Sequence, residues 1–288
     1  MRFLPYILTF LTISCGQLGF KASKSPDTNN VLETTTDSTK VKSSFEKQKE
    51  IDDRNRIDSI RQNKVMKAAM TIAKQNISKD YYENSYESFP DDSSYAVTTE
   101  LILGNLFAKD KKHLLIRRIV PWCTFLDLYL IKNDSLLSVI SREQCVMTYI
   151  GDTIFDANGD NLKDFVVHWY PSSGCCIANT YNVYLYNSYT GTFSKDFEFI
   201  NPTFSPNEKI IRGVGYGHPG EVGLYKYKWR GMQIDTLEFI YPNAGKQGTY
   251  IKTKKQAYKP SEKEGIKLSS IPKEYQSIES YDWFISEE

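Results

Sequence analysis

Four oxygen-bearing side chains are spaced along one short loop, "DANGDNLKD", residues 156–164. Asp156, Asn158, Asp160 and Asp164 stand at its positions one, three, five and nine. The carbonyl of Leu162 falls at position seven, and Gly159 relaxes the bend between them. Hard divalent cations need several oxygens around one point, and a compact loop with acidic or amide groups at alternate positions supplies them. The spacing therefore predicts a calcium site rather than an Asx-rich turn without metal, which is the competing reading. An EF-hand is excluded, because Val167 occupies position twelve, where a bidentate Glu would be needed. A loop that fills its cation's coordination sphere leaves no open position for chemistry, so the expected metal is structural.

Two glycine-dense loops carry the next candidates. "SSGCCIANTY", residues 172–181, offers Ser172, Ser173, Gly174 and Tyr181. "RGVGYGHPGE", residues 212–221, offers Gly215, Tyr216 and His218. Glycines between strands let the backbone approach a partner closely, although plain connection chemistry uses them too. Neither loop has a P-loop lysine or the strand-to-helix context of a dinucleotide fingerprint. His218 lacks a nameable nucleophile partner, and His113 and His168 read as packing residues in or beside strands. Neither GxSxG nor HExxH occurs. The expectation is a binding protein, not an enzyme.

The cysteines fit an oxidising compartment. Cys123 and Cys145 are equidistant from Asp134, in the turn-like "KNDS", so a hairpin there places them opposite each other. Their bridge would close a loop of ~20 residues and stabilise by about 3 kcal/mol on the chain-entropy account. Cys175 and Cys176 then form a vicinal disulfide, or each bridges to one strand of that hairpin. Zinc is disfavoured, because no CxxC pair occurs and the three histidines are scattered. The fifth cysteine, Cys15, follows one Arg and an apolar run too short to span a bilayer, the pattern of a signal peptide over residues 1–15. This region resembles the lipobox of bacterial lipoproteins, with Leu11 one place early and Thr12 in the usual Leu position. The resemblance implies lipidation of Cys15. Gly16 is not the Asp that retains many lipoproteins in an inner membrane, so an outer-membrane lipoprotein, periplasmic or surface-facing, is expected.

These groups need elements to hold them. Of 288 residues, 20 are Tyr, 15 Phe and 4 Trp, a composition that favours pleated, half-buried surfaces and an all-β fold. A net charge of +1 provides no field for nucleic acid. Residues 16–44 are polar and predict a tether; residues 45–80 predict a charged helical spacer with Ile57, Ile60, Ala68 and Ile72 as its apolar stripe. Residues 90–260 alternate short apolar runs with turns, and residues 261–288 form a tail in which "YDWFI" could dock back. "LYLIKNDSLLSVI", "VYLYNSYTGTFSKDF" and "YKYKWRGMQIDTLEF" share one theme of aromatic strand, turn and strand, recurring every ~45–55 residues as propeller blades do. An all-β, β-propeller-like domain of antiparallel strands is the expected fold.

The metal loop resembles those of FG-GAP-type propeller repeats, D-x-N-x-D-x-x-x-D leading into an apolar strand. With "SSG…NTYNVYLYNSYTGTF", "NPTFSPNEKII", "GYGHPGEVGLYKYKW" and "RGMQI" in order, it resembles a family of calcium-binding, propeller-like envelope lipoproteins. Members act as immunity proteins that inhibit peptidoglycan hydrolases of lysozyme type. The resemblance implies a hydrolase partner, with a Ser-Gly-x-x-Tyr-like loop entering its active site. Ser173 and Gly174 match; Cys175 and Cys176 follow instead, and the next tyrosine is Tyr181. Asn161 replaces the usual Gly of the metal loop, a position where Asn tolerates the left-handed backbone. The alternative is a surface lipoprotein that binds glycan or another envelope protein, with exposed Tyr and Trp as stacking platforms.

Overall fold

A computed structural model of the chain describes residues 43–92 and 95–286. Cys15, its signal peptide and nearly all of the expected tether lie outside those residues. The chain divides into Met1–Lys49 and Glu50–Glu288. In the first unit, Ser43 caps the start of a helix: its Oγ accepts from Glu46 N–H at 3.2 Å, and the Glu46 carboxylate accepts from Ser43 N–H at 2.8 Å. This reciprocal pair satisfies two donors that a helix start leaves open.

That helix, α1, spans Ser44–Gln75. In the second unit the chain then builds three antiparallel meanders. The first sheet runs in chain order through β1 (Tyr81–Ser88), β2 (Val97–Ala108), β3 (Lys111–Val120), β4 (Cys123–Lys132) and β5 (Ser135–Gln144). The second contains β6 (Met147–Phe155), β7 (Asp164–Pro171) and β8 (Thr180–Tyr184). A two-stranded ribbon, β9 (Tyr186–Asn187) with β10 (Thr192–Phe193), precedes its fourth strand, β11 (Phe197–Ile200). The third consists of β12 (Pro202–Ser205), β13 (Ile210–Val214), β14 (Leu224–Arg230), β15 (Gln233–Pro242), β16 (Tyr250–Thr253) and β17 (Ile266–Leu268). A short helix, α2, spans Tyr281–Ile285.

Side-chain alternation sorts each strand between two interfaces. Leu126 and Leu128 of β4 meet Phe165, Val167 and Trp169 of β7 between the first and second sheets. The other face of β7 sends Val166 to join Val183 and Phe199 against Ile211, Tyr225 and Trp229 of the third sheet. The outer face of the first sheet, Leu101, Leu103, Leu114 and Ile116, is covered by Ala69 and Ala73 of α1. The outer face of the third, Val214, Leu224 and Ile240, is covered by Ile271, Tyr275, Ile278 and Phe284. Every sheet is thus sandwiched, which is why the middle strand β7 reads as a continuous apolar run rather than an alternating one.

The all-β, antiparallel expectation agrees with this architecture. The described residues form no closed propeller or barrel. A propeller covers each blade with the next around a ring; here helix and C-terminal segment cover the two end sheets, so no further blade is required. The three repeated segments each supply strands to a different sheet: β4–β5, β8–β11 and β14–β15. Other expectations need correction. The helix docks through Val65, Ala69 and Ala73, whereas Ile57 and Ile60 are 42% and 45% exposed. Strand structure begins before residue 90, with β1, whose half-buried edge position tolerates its polar "ENS". It also continues past residue 260, into β17.

Arginines tie these layers. Arg118 of β3 donates to Asp127 of β4 at 2.9 Å and to the Gln62 carbonyl of α1 at 3.2 Å, all buried. Ser141 completes the Asp127 shell at 2.8 Å. Arg117 points the other way and grips both oxygens of Asp152 on β6, at 2.5 and 2.6 Å. Buried charges survive only with such paired, hydrogen-bonded geometry.

Candidate functional site

The loop 156–164 joins β6 to β7 and is held by its own acids. Asp156 accepts from the N–H groups of Gly159, Asp160 and Asn161 at 2.6, 3.2 and 2.8 Å. Asn158 Oδ1 accepts from Asp160 N–H at 3.1 Å, and Asp160 Oδ1 from Leu162 N–H at 2.8 Å. Asp164 is fully buried and accepts from Ala157 N–H and Tyr186 N–H, both at 2.9 Å. Burial pushes its carboxyl up to about 7; the two N–H donors oppose that rise, and the neighbouring Asp160 and Asp156 add to it. Gly159 has φ +75°, and a Cβ there would collide with the Pro206 carbonyl, so the loop tip fits against the third sheet only as glycine. Asn161, at φ 67°, occupies the left-handed position.

The donor types suit a hard cation, since three carboxylates and an amide share one short loop. No ion pair among the described residues engages Asp156, Asp160 or Asp164. Their convergence is weaker. Among the described residues, the trios of His, Cys, Asp or Glu that gather ligand atoms within 4.8 Å are Cys175–Cys176–His218 and Cys123–Glu143–Cys145, and the three loop acids are not such a trio. What the observed hydrogen bonds account for is a tightly fastened entry into β7.

Cys123 and Cys145 are within bonding distance, with Cα atoms 4.0 Å apart, across the β4–β5 hairpin. Its turn places Asn133 and Asp134 at φ 50° and 58°, as a two-residue hairpin turn requires. Cys175 and Cys176 pair with each other.

The two glycine-rich loops meet. A Cβ on Gly174 would lie 3.3 Å from the Tyr216 hydroxyl, and the Cys175–Cys176 sulfurs lie within 4.8 Å of a His218 ring nitrogen. Gly174 and Gly217 adopt φ +144° and +150°, a conformation that suits glycine at both sides of this contact. The second loop is fastened from behind by α2: Trp283 Nε1 donates to the Gly217 carbonyl at 2.9 Å, and Gly220 N–H donates to the Trp283 carbonyl at 3.0 Å. The "YDWFI" segment therefore docks on the domain, with Phe284 buried.

Of the residues singled out by sequence, Gly174, Tyr216 and His218 come together, with Gly215 beside them. Ser172 and Ser173 are exposed at the start of the first loop, where Ser172 Oγ donates to the Val146 carbonyl at 3.2 Å. Tyr181 does not join them. It lies in β8, its ring stacked on His168 at 4.2 Å and packed into the core between second and third sheets. Its place on a strand that pairs with β7 and β11 commits it to packing.

Behind the loops opens a cleft of about 900 Å³. One wall is the edge strand β11 with Glu198, Phe199 and Ile200; the other is the third sheet with Tyr225, Tyr227, Phe239 and Tyr241. Residues 215–218 and 256–259 form its rim. Sequence reasoning missed Tyr227 and Tyr241 here, because a Tyr on an alternating strand signals packing and cannot reveal that its neighbouring sheet stops short; Tyr258, between β16 and β17, sits in a segment with no pattern to mark it. No protein-family model matches the chain, and no curated protein or solved structure matches it.

Proposed function

We propose that the protein is a non-catalytic binding module of the bacterial envelope, lipidated at Cys15 and held at the outer membrane. Its partner is a peptidoglycan hydrolase of lysozyme type, which it inhibits in the manner of an immunity protein. The observation that carries this reading is the meeting of residues 172–176 with residues 215–218, Gly174 against the Tyr216 hydroxyl. The loop that the resemblance assigns to partner contact and the glycine-rich loop 212–221 thus share one exposed patch. Loops braced by a rigid scaffold are where recognition residues concentrate.

Within the same proposal, calcium would be held by Asp156, Asn158, Asp160, the Leu162 carbonyl and Asp164. It would add cross-links to a loop already fastened by N–H donors, and so hold the start of β7, at whose far end the first partner loop begins. We further read the three stacked meanders as an opened version of blade packing.

The test mixes the full chain with purified lysozyme-type hydrolases and follows complex formation and cell-wall lysis together. A stoichiometric complex with loss of lysis, both weakened by Tyr216→Ala, supports the proposal. Undiminished lysis with no complex for any hydrolase tried counts against it.

A further inference from the structure

We infer that the cleft between β11 and the third sheet is a saccharide site that takes a neutral glycan chain. This does not rest on the hydrolase reading: the cleft shares residues 215–218 with the loop assigned to that contact, but its walls are β11 and the third sheet, and its test contains no hydrolase. Its origin is a mismatch of strand length: β11 has four residues, while β14 and β15 opposite have seven and ten. The second sheet ends before the third is covered, and a cleft remains along the third sheet's aromatic face, lined by buried Tyr225, Phe239 and Tyr241 and half-buried Tyr227.

The walls are rigid. Tyr225 Oη donates to the Ile200 carbonyl at 2.8 Å, and Tyr241 Oη accepts from Ala257 N–H at 2.9 Å. Tyr225 and Tyr227 stack at 4.8 Å. At the rim, Tyr216 is 54% and Tyr258 85% exposed, so two rings offer faces to an incoming ligand. The charge of the lining selects against anions. Its one lysine, Lys259, is paired with Glu221 at 2.7 Å, and that bond holds the Glu221 carboxyl below its ordinary range. The Lys259 charge is thus already met by a carboxylate, which disfavours a phosphate or fatty-acid headgroup. The Gln256 amide and the Glu221–Lys259 pair in the lining offer hydrogen bonds that a purely apolar ligand would leave unused. Sugars meet all three demands: flat C–H faces for tyrosine rings, hydroxyls for carboxylate and amide, and no charge. The volume lies within the ~300–1,000 Å³ usual for small-ligand clefts.

The experiment titrates the full chain, with no hydrolase present, with the β-1,4-linked hexamer of N-acetylglucosamine and separately with cellohexaose, by calorimetry. Saturable binding of at least one hexamer is expected, weakened about tenfold or more by Tyr216→Ala and by Tyr258→Ala, as loss of a stacking face implies. Circular dichroism should be unchanged in both variants, because both rings are solvent-exposed. No binding of either hexamer at millimolar concentration overturns the inference. So does binding that neither substitution weakens, or uptake of a long-chain alcohol without any sugar binding.

Discussion

At the scale of single residues, the polar groups that matter are buried ones whose charge state is set by surroundings. His113 is fully buried against Phe107, Tyr186 and Phe193, with Nε2 3.0 Å from the Gly191 carbonyl. Burial holds its pKa below the ordinary imidazole value, against the opposing pull of the Gly191 and Lys111 carbonyls. A group whose folded pKa is depressed binds its proton more readily when unfolded. Its contribution is therefore present above the unfolded value of ~6.5 and is lost as pH falls through the folded pKa. Denaturant titrations should show stability falling on the acid side of that value with a slope approaching ~1.4 kcal/mol per pH unit from this group. The difference between wild type and His113→Gln isolates it, and identical pH profiles would refute the assignment. The loop acids make a second prediction. Asp156→Ala with Asp160→Ala removes acceptors from Gly159, Asp160, Asn161 and Leu162 N–H groups. The melting temperature should drop with or without calcium, and the rise that the proposed calcium site predicts for the wild type should be absent from the variant. A wild-type melting curve indifferent to calcium and chelator would leave only the hydrogen-bonded turn.

At the scale of elements, hairpins and one helix do the fastening. The Cys123–Cys145 bridge joins residues 22 apart at the open end of the β4–β5 hairpin. Replacing both by Ala should lower unfolding free energy by about 3 kcal/mol on the chain-entropy account. Equilibrium unfolding in urea would measure it, and an unchanged midpoint would mean that the strands alone constrain this hairpin. The bridge was legible in sequence because a symmetrical turn at "KNDS" leaves few registers for the strands beyond it. The docking face of α1 was not legible. Its buried stripe is made of Val65, Ala69 and Ala73, small residues that let the helix approach the sheet. Larger Ile57 and Ile60 stand out in any count of apolar residues, yet remain half-exposed. Hydrophobicity ranks side chains by size, whereas close approach of a helix selects small ones.

At the scale of the whole molecule, three sheets stack in series and each end is capped. The C-terminal cap does two jobs, covering Val214, Leu224 and Ile240 and bracing residues 217–220 through Trp283. Trp283→Ala should leave the sheets folded while speeding amide exchange at Gly220, whose N–H is bonded to the Trp283 carbonyl, and at its neighbours. Exchange unchanged in that loop would show that the rim is rigid without the cap.

The sequence by itself determined the class of the fold, the hairpin bridge and the loop of acids before β7, because each depends on neighbours within about twenty residues. It also named both glycine loops, since glycine marks backbone that other residues resist. Only the tertiary structure decided that those loops touch, that Tyr181 packs inward and that the sheets form a capped stack instead of a ring. It alone opened the cleft, because a gap between sheets depends on which of two distant strands ends first. No local pattern records the length of a strand's eventual neighbour.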